Sequence, residues 1–510
     1  MPVEAPAVTA SASAHESALN PRLYYALLGL AFVLAIVPLW LVRFPELMDY
    51  PAHLARCYIL AHFHSNPLWP QVYRVQFGPI PDLAIDAIVT PLAHWLPIAL
   101  SGKLFLTLLA LLYVGGCEAL GRAAWGQRHG MTLVAAFTFL NSNLMDGRVN
   151  YLFGLALAFW VLALWLRWRA EMTARRFLLF CGLSLIIYLA HLGAIAVLGV
   201  ACCTIALVDF AGHRRFGRLV AAVGWMACPT LLLVFGFLGR SGRVGQLDWG
   251  TWPIKVSHLL TLTRSFNPRF EALLTLELLA CAGVLLWRAR WNRPLAIAGL
   301  VLLGCYVITP MTIFTANYAD ARFVLPGFVL LILAVRPREG ALRRLALGFV
   351  LALLVARVVF IGHGWIAEQP EARAVLAMGS VLPAGARVDA IDGTEGKSGS
   401  RGFQRLAFSH LIDVWSMSRG VYMSNLFAAA GQQPLIQRPD LEICWPGEDP
   451  GCLAHFDYVW TDGPPALVTA TLQAAAVPVA RYSTFVLWRV RKPTVRIRTV
   501  APAPEPAARR

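Results

Sequence analysis

The sequence predicts an α-helical polytopic membrane protein of about eleven transmembrane helices, followed by a small soluble α/β unit at its carboxyl end. Three observations predict it. Of 510 residues 58% are hydrophobic and only 14% charged, with a mean hydropathy of +0.61, far more apolar than a soluble chain with about a quarter of its residues charged. Apolar runs of membrane-crossing or nearly membrane-crossing length recur as far as residue 362. Basic residues gather in every second connection between those runs, the pattern expected where cytoplasmic loops carry the Lys and Arg excess.

Residues 1–20 are rich in Ala and Ser and are expected to form a disordered cytoplasmic tail. The first apolar run, Arg22 to Val42, is followed by "FPELMD" with no small-residue cleavage site, so it reads as an uncleaved first span rather than a signal peptide. Further runs fall at 98–120, 131–145, 151–166, 177–190, 192–210, 219–238, 270–287, 294–311, 323–335 and 345–362. Arg122 and Arg128 mark one basic connection, Arg167, Arg169, Arg175 and Arg176 the next, and Arg214, Arg215 and Arg218 the third. Arg288, Arg290 and Arg293, then Arg336, Arg338, Arg343 and Arg344, complete the alternation. The amino terminus is therefore expected inside and the carboxyl terminus outside. The formal net charge of +16 is mostly this topology signal, and nucleic acid is not an expected partner.

The expected organisation is a tail at 1–20, a transmembrane domain at 21–365 with a first outer loop at 44–97, an outer α/β domain at 366–493 and a disordered tail at 494–510. In the outer domain "ARVDAID", "FDYVWTDG" and "FVLWRV" read as strands and "ALVTATLQAAA" as a helix. Cys444 and Cys452 close the loop "CWPGEDPGC" on the oxidising side and are expected to form a disulfide. The other eight cysteines read as small core residues. No CxxC or HExxH pattern is present, so no metal site is expected; no cofactor is required, although a divalent metal is conceivable.

The chemistry is concentrated where the first span ends, in "RFPELMDYPAHLARCYIL". Asp49 followed by Pro51 suits a helix cap, and "MDYPAHLARCYILAHF" can be an amphipathic helix lying on the bilayer surface. A carboxylate at the apolar boundary is equally suited to accept a proton, because partial desolvation raises its pKa. Glu46 and His53 flank it; His53 can help position an acceptor or bind a metal. Further along, Asp82 and Asp86 are four apart, are expected on one face of a second surface helix and are read as solvated. Trp69, Tyr73 and Trp95 suit the headgroup belt.

Three arginines lie against the charge rule at the outer ends of spans: Arg148 in "MDGRVNY", Arg269 in "SFNPRF" and Arg322 in "ANYADARFVLP". Guanidinium binds phosphate oxygens bidentately, and Arg322 is the preferred phosphate clamp, with Asp320 orienting it or capping the next helix. Snorkelling to headgroups is the alternative. His191, in "IIYLAHLGAIAV", is an ionisable group between two apolar segments, suited to lining a cavity or to sitting hydrogen-bonded in the core.

An inside amino terminus, one span, a long outer loop opening with "ELMDYPAH", many further spans and an outer soluble domain together resemble the GT-C class of membrane glycosyltransferases, among them the protein mannosyltransferases and aminoarabinose transferases. The resemblance covers residues 22–365. It implies transfer of a sugar from a polyprenyl-phosphate carrier to a glycan, lipid or protein acceptor on the periplasmic side of a bacterial inner membrane, with Asp49 as the essential loop acid. Where many members have a D/E-x-D/E pair, this chain has Glu46 three residues before Asp49. Two other classes stay open. A lipid or polysaccharide flippase would show repeated broken helices and mid-bilayer charges, whereas this chain keeps most of its charges at the loops and shows no internal repeat. A non-catalytic envelope-assembly protein would keep the architecture without the chemistry.

Overall fold

The computed structural model describes residues 20–238, 246–260, 262–263, 268–314, 317–338, 340–393, 408–438, 441 and 443–491; the expected tails lie outside the described residues. Six described helices are long and apolar enough to cross a membrane: Pro21–Leu41, Ile98–Trp125, Val149–Trp168, Leu192–His213, Phe216–Phe235 and Ala341–Val381. The chain is thus a multi-pass membrane protein. The remaining apolar runs form helices too short or too charged to count as full crossings: Met131–Phe137 with Ser142–Met145, Ala174–Ala190, Pro268–Leu286, Arg293–Ile308 and Val324–Ala334. Polar residues make the breaks. Thr138 ends one segment and Asn141 caps the next, its side chain accepting from the backbone of Asn143 and Leu144. His191 does the same for Leu192–His213, accepting from Gly193 N at 2.9 Å.

The long helices pack into one core. Ile98–Trp125 and Val149–Trp168 lie along each other, with Phe105 stacked on Phe153 at 5.4 Å and the Trp160 indole donating to Leu112 O. Helix Ala341–Met378 packs along Pro21–Leu41 and also touches strand Ala476–Tyr482 and the turn Leu411–Asp413 of the carboxyl-terminal part.

Residues 44–97, the expected first outer loop, are folded into protein rather than set out as surface helices. Helix Tyr50–Ala61 buries Tyr50 through Cys57 and Ile59, so it is enclosed by protein nearly all round. Trp69 and Tyr73 are core residues, and of the three expected belt aromatics only Trp95 is exposed. The cause is a pairing between distant parts of the chain. Strand Tyr73–Val75 runs antiparallel to Leu435–Gln437, with Gln76 N donating to Pro434 O and Arg438 N to Val72 O. Trp69, Tyr73, Tyr422, Phe456 and Trp488 share one apolar cluster.

That cluster lies beneath a five-stranded mixed sheet ordered Ala476–Tyr482, Phe485–Val490, Tyr458–Asp462, Arg387–Asp392, Tyr422–Met423. Arg387–Asp392 is parallel to both neighbours and the other pairs are antiparallel. Helix Ala466–Ala475 connects two of the strands, and Cys444 is bonded to Cys452.

Asp82 and Asp86 also depart from expectation. The helix they were to share begins at Ala84, and Asp82 precedes it with φ +90°. Asp86 is buried and takes both Arg56 donors, Nε at 2.8 Å and Nη2 at 2.7 Å. This bidentate pair ties helix Tyr50–Ala61 to Ala84–Ala93. Neither acid is a solvated surface group.

Candidate active site

Two sequence motifs 97 positions apart meet at Asp49. Met48 N donates to Met145 O at 2.9 Å and Asp49 N to Asp146 O at 3.2 Å, so "LMDY" lies directly on "MDGRVNY". The contact requires glycine between Asp146 and Arg148. Gly147 has φ +77°, and a Cβ there would stand 2.5 Å from Asp49 N and 2.8 Å from Tyr50 N. Backbone atoms cannot swing aside as a side chain can. Gly147→Ala is therefore expected to displace Asp49, destabilising the fold by roughly 1 to 3 kcal/mol and lowering activity; thermal unfolding and turnover of the purified variant check it.

Asp49 occupies the cap position of helix Tyr50–Ala61, yet its side chain makes no capping hydrogen bond. A carboxylate placed only to cap would bond to the backbone of the first turn. Burial pushes its pKa up to about 6, while His410, Arg148 and Arg322 act in the opposite direction and Asp146 adds to the rise. Burial thus brings this carboxylate's pKa toward neutral pH, and the surrounding cations limit the rise.

Arg148 is fixed by its own loop. Nη1 donates to Asn143 Oδ1 at 3.0 Å, Nη2 pairs with Asp146 Oδ2 at 2.9 Å, and the guanidinium lies over the Tyr318 ring at 5.0 Å. Arg322 is different. Its guanidinium has no ion pair and no hydrogen-bond acceptor among the described residues, and Nε is buried. Burial and repulsion from Arg148 push its pKa down to about 10, with Asp82, Tyr151 and Asp49 opposing; at neutral pH it still carries its charge. The stem passes close over Gly193, where a Cβ would meet Arg322 Cδ at 2.9 Å. The backbone carbonyl of Arg322 accepts from the Tyr151 hydroxyl. A half-buried guanidinium with a buried Nε and no ion pair among the described residues is able to take an anionic partner.

His191 belongs to the same region. Its ring meets Tyr151 edge-on at 5.4 Å, and burial together with Arg322 and Arg148 pushes its pKa well below the usual value, leaving it neutral. His53 is buried one turn past Asp49, its Nδ1 without a partner, its ring 5.3 Å from Phe427; burial, Arg56, His410 and His191 keep it neutral.

The other predicted residues fall elsewhere. Asp320 does not orient Arg322: it is fully buried, pairs with Lys255 Nζ at 3.0 Å, and accepts from Ala321 N at 2.8 Å. Lys255 in turn donates to Thr309 O at 2.7 Å, so the pair is an internal strut between connections. Glu46 turns away toward helix Ala341–Met378, accepting from Gln369 Nε2 at 3.3 Å and lining a separate cavity of about 340 Å³ with Arg43 and Arg373. Burial and the adjacent Glu368 raise its pKa to about 11, so it is protonated. Arg269 is exposed at the start of Pro268–Leu286, and residues 264–267 beside it lie outside the described residues. It is not among the charges that dominate Asp49, Arg322 or His191.

Sequence reading missed His410 and Asp413, which the chain beyond the last long helix brings to Asp49. His410 Nδ1 lies 2.9 Å from Asp413 Oδ2. The signal was available as a His and an Asp three apart in "SHLIDVW", one turn of helix. No group of three or more His, Cys, Asp or Glu that could hold a metal occurs among the described residues.

No protein-family model matches the chain, and no curated protein matches it in sequence. Among solved structures, its fold is similar to that of ArnT from Cupriavidus metallidurans bound to undecaprenyl phosphate. The TM-score is 0.55 at 12% identity, over 92% of this chain and 98% of that one. The same protein in its apo state gives a TM-score of 0.48 at 12% identity, over 92% and 97%. At such identity the likeness is one of fold alone, and that fold agrees with the multi-span architecture the sequence pointed to.

Proposed function

We propose that the chain is a membrane glycosyltransferase that moves a sugar from a polyprenyl-phosphate carrier to an acceptor on the periplasmic side of the bacterial inner membrane. The observation that carries this reading is the half-buried guanidinium of Arg322, its Nε buried and without an ion pair among the described residues, with a second guanidinium, Arg148, and a carboxylate of near-neutral pKa, Asp49, acting on it. That set suits displacement at a sugar bound to phosphate. Asp49 takes the proton of the acceptor hydroxyl; the oxygen attacks the anomeric carbon; the bond from that carbon to the phosphate oxygen breaks, and the electrons leave with the polyprenyl phosphate. Arg322, with Arg148, meets the growing negative charge on the departing oxygens. One direct displacement inverts the anomeric carbon. His191 and His53, both neutral, shape the pocket without adding charge.

Supporting the lipid donor is the similarity of fold to a protein whose structure holds undecaprenyl phosphate. In this reading the amino terminus is cytoplasmic, the carboxyl terminus periplasmic, about eleven segments enter the bilayer, and residues 366–493 form an α/β domain that covers the site and helps select the acceptor. Mass spectrometry of envelope glycans and lipid-linked sugars from cells with and without the chain tests it. Loss of one sugar-bearing species with build-up of its polyprenyl-phosphate precursor is expected. An unchanged envelope profile sinks the reading.

A further inference from the structure

Where the first span ends, the fold leaves a cavity of about 340 Å³ that the proposed transfer does not use. Three parts of the chain enclose it: residues 41–46 at the end of helix Pro21–Leu41, one side of helix Ala341–Met378 between residues 369 and 376, and the chain at Phe408 and Leu411. Its lining is divided by chemistry. Val42, Phe44, Phe408 and Leu411 are buried apolar side chains, whereas Arg43 and Arg373 are exposed cations on its open side.

An exposed arginine is ordinary by itself. Here two of them share one cavity, and neither guanidinium makes an ion pair or donates a hydrogen bond among the described residues; Arg43 lies over the Phe44 ring at 5.3 Å. Deeper in stands Glu46, only 6% exposed. Its Oε1 accepts from Gln369 Nε2 at 3.3 Å, and its Oε2 has no hydrogen-bond partner. A buried polar oxygen left unpartnered is costly, and a polar ligand in the cavity relieves that cost. Because Glu46 is protonated, held so by burial and by Glu368, it does not repel an anion bound at the arginines.

The site therefore offers cations on its open side, neutral hydrogen-bonding groups within, and an apolar wall. Leu41, the last residue of a helix long and apolar enough to cross a membrane, also lines it, which sets the cavity at the height of lipid headgroups. Its volume is at the small end for ligand pockets, enough for a headgroup but not for a whole lipid. We propose that this cavity binds the headgroup of an anionic phospholipid, with Arg43 and Arg373 taking the phosphate and Glu46 and Gln369 meeting the polar remainder. Pro51, two residues past Asp49, is part of the lining, so a bound headgroup braces the start of helix Tyr50–Ala61. The inference stands apart from the glycosyltransferase reading, and failure of either leaves the other intact.

The test is native mass spectrometry of the full-length chain in detergent, titrated separately with dioctanoyl phosphatidylglycerol, dioctanoyl phosphatidylcholine and inorganic phosphate. Phosphatidylglycerol is expected to bind the parent chain roughly 10- to 30-fold more tightly than the double variant Arg43→Gln/Arg373→Gln, the effect of two arginines at a lipid surface. Binding to the arginine-rich connections elsewhere is common to both proteins and cancels in the comparison. Equal phosphatidylglycerol affinity in parent and folded variant overturns the proposal. An equal loss for zwitterionic phosphatidylcholine overturns its anionic character, and a loss confined to inorganic phosphate overturns its lipid. Should the double variant fail to fold, Arg373→Gln alone, on the exposed side of a helix, decides: an affinity lowered by about fivefold supports the site, and an unchanged one overturns it.

Discussion

Asp49→Asn is expected to insert and fold like the parent chain and to lose sugar transfer by roughly a hundredfold to ten-thousandfold, the range for removing a positioned general base. Asparagine caps a helix about as well as aspartate, and Asp49 makes no side-chain cap bond that could be lost. A structural role therefore predicts almost no change, and a catalytic role a large one. Stability measured by thermal unfolding, alongside transfer of lipid-linked sugar, separates the two. The parent chain carries a second signature. A base must be ionised to accept a proton, and burial raises the Asp49 pKa to about 6, so the rate is expected to climb with pH through that value and level off above it. Full activity in the asparagine variant, or a rate independent of pH between 5 and 7, contradicts the mechanism.

Arg322→Lys is expected to weaken binding of undecaprenyl phosphate, used as the probe, by roughly 10- to 100-fold, corresponding to about 1.5 to 3 kcal/mol for a charge-assisted hydrogen bond. Lysine keeps the positive charge but presents one point where guanidinium presents a planar fork. The comparison therefore isolates geometry from charge. Arg148 serves as the contrast: its donors are already engaged with Asn143 and Asp146, so replacing it disturbs the loop under Asp49 as well as the anion. Calorimetry or a lipid-binding assay on purified protein reads the difference. Unchanged affinity for the phosphate lipid in Arg322→Lys would return that residue to a headgroup contact.

Much of the architecture was legible because hydrophobic transfer acts residue by residue. Every apolar run fell on helix, and the strands read from "ARVDAID", "FDYVWTDG" and "FVLWRV" are strands of one sheet. Length and composition were less informative about full crossings, because a polar residue such as Asn141 or His191 divides a run into shorter helices without lowering its mean hydropathy much. Within the site, Asp49, Arg148, Arg322 and His191 could be singled out as charged or ionisable groups set at span ends, where placing them is costly. Asp320 is noticeable by the same rule, but neither orienting Arg322 nor capping the next helix is its role, since its partner Lys255 lies 65 positions away.

By itself the sequence determined that the chain is a bundle of apolar helices with its chemistry gathered at their ends, because burial in hydrocarbon is decided by local composition. Only the tertiary structure decided which of those groups meet. Strand Tyr73–Val75 pairs with Leu435–Gln437 and draws the first outer loop into the carboxyl-terminal core. Arg56 and Asp86 close the loop on itself, Gly147 lets "MDGRVNY" pass under Asp49, and His410 arrives from more than 350 positions away. Such contacts depend on long-range hydrogen-bond register and electrostatic pairing, which no window of neighbouring residues contains.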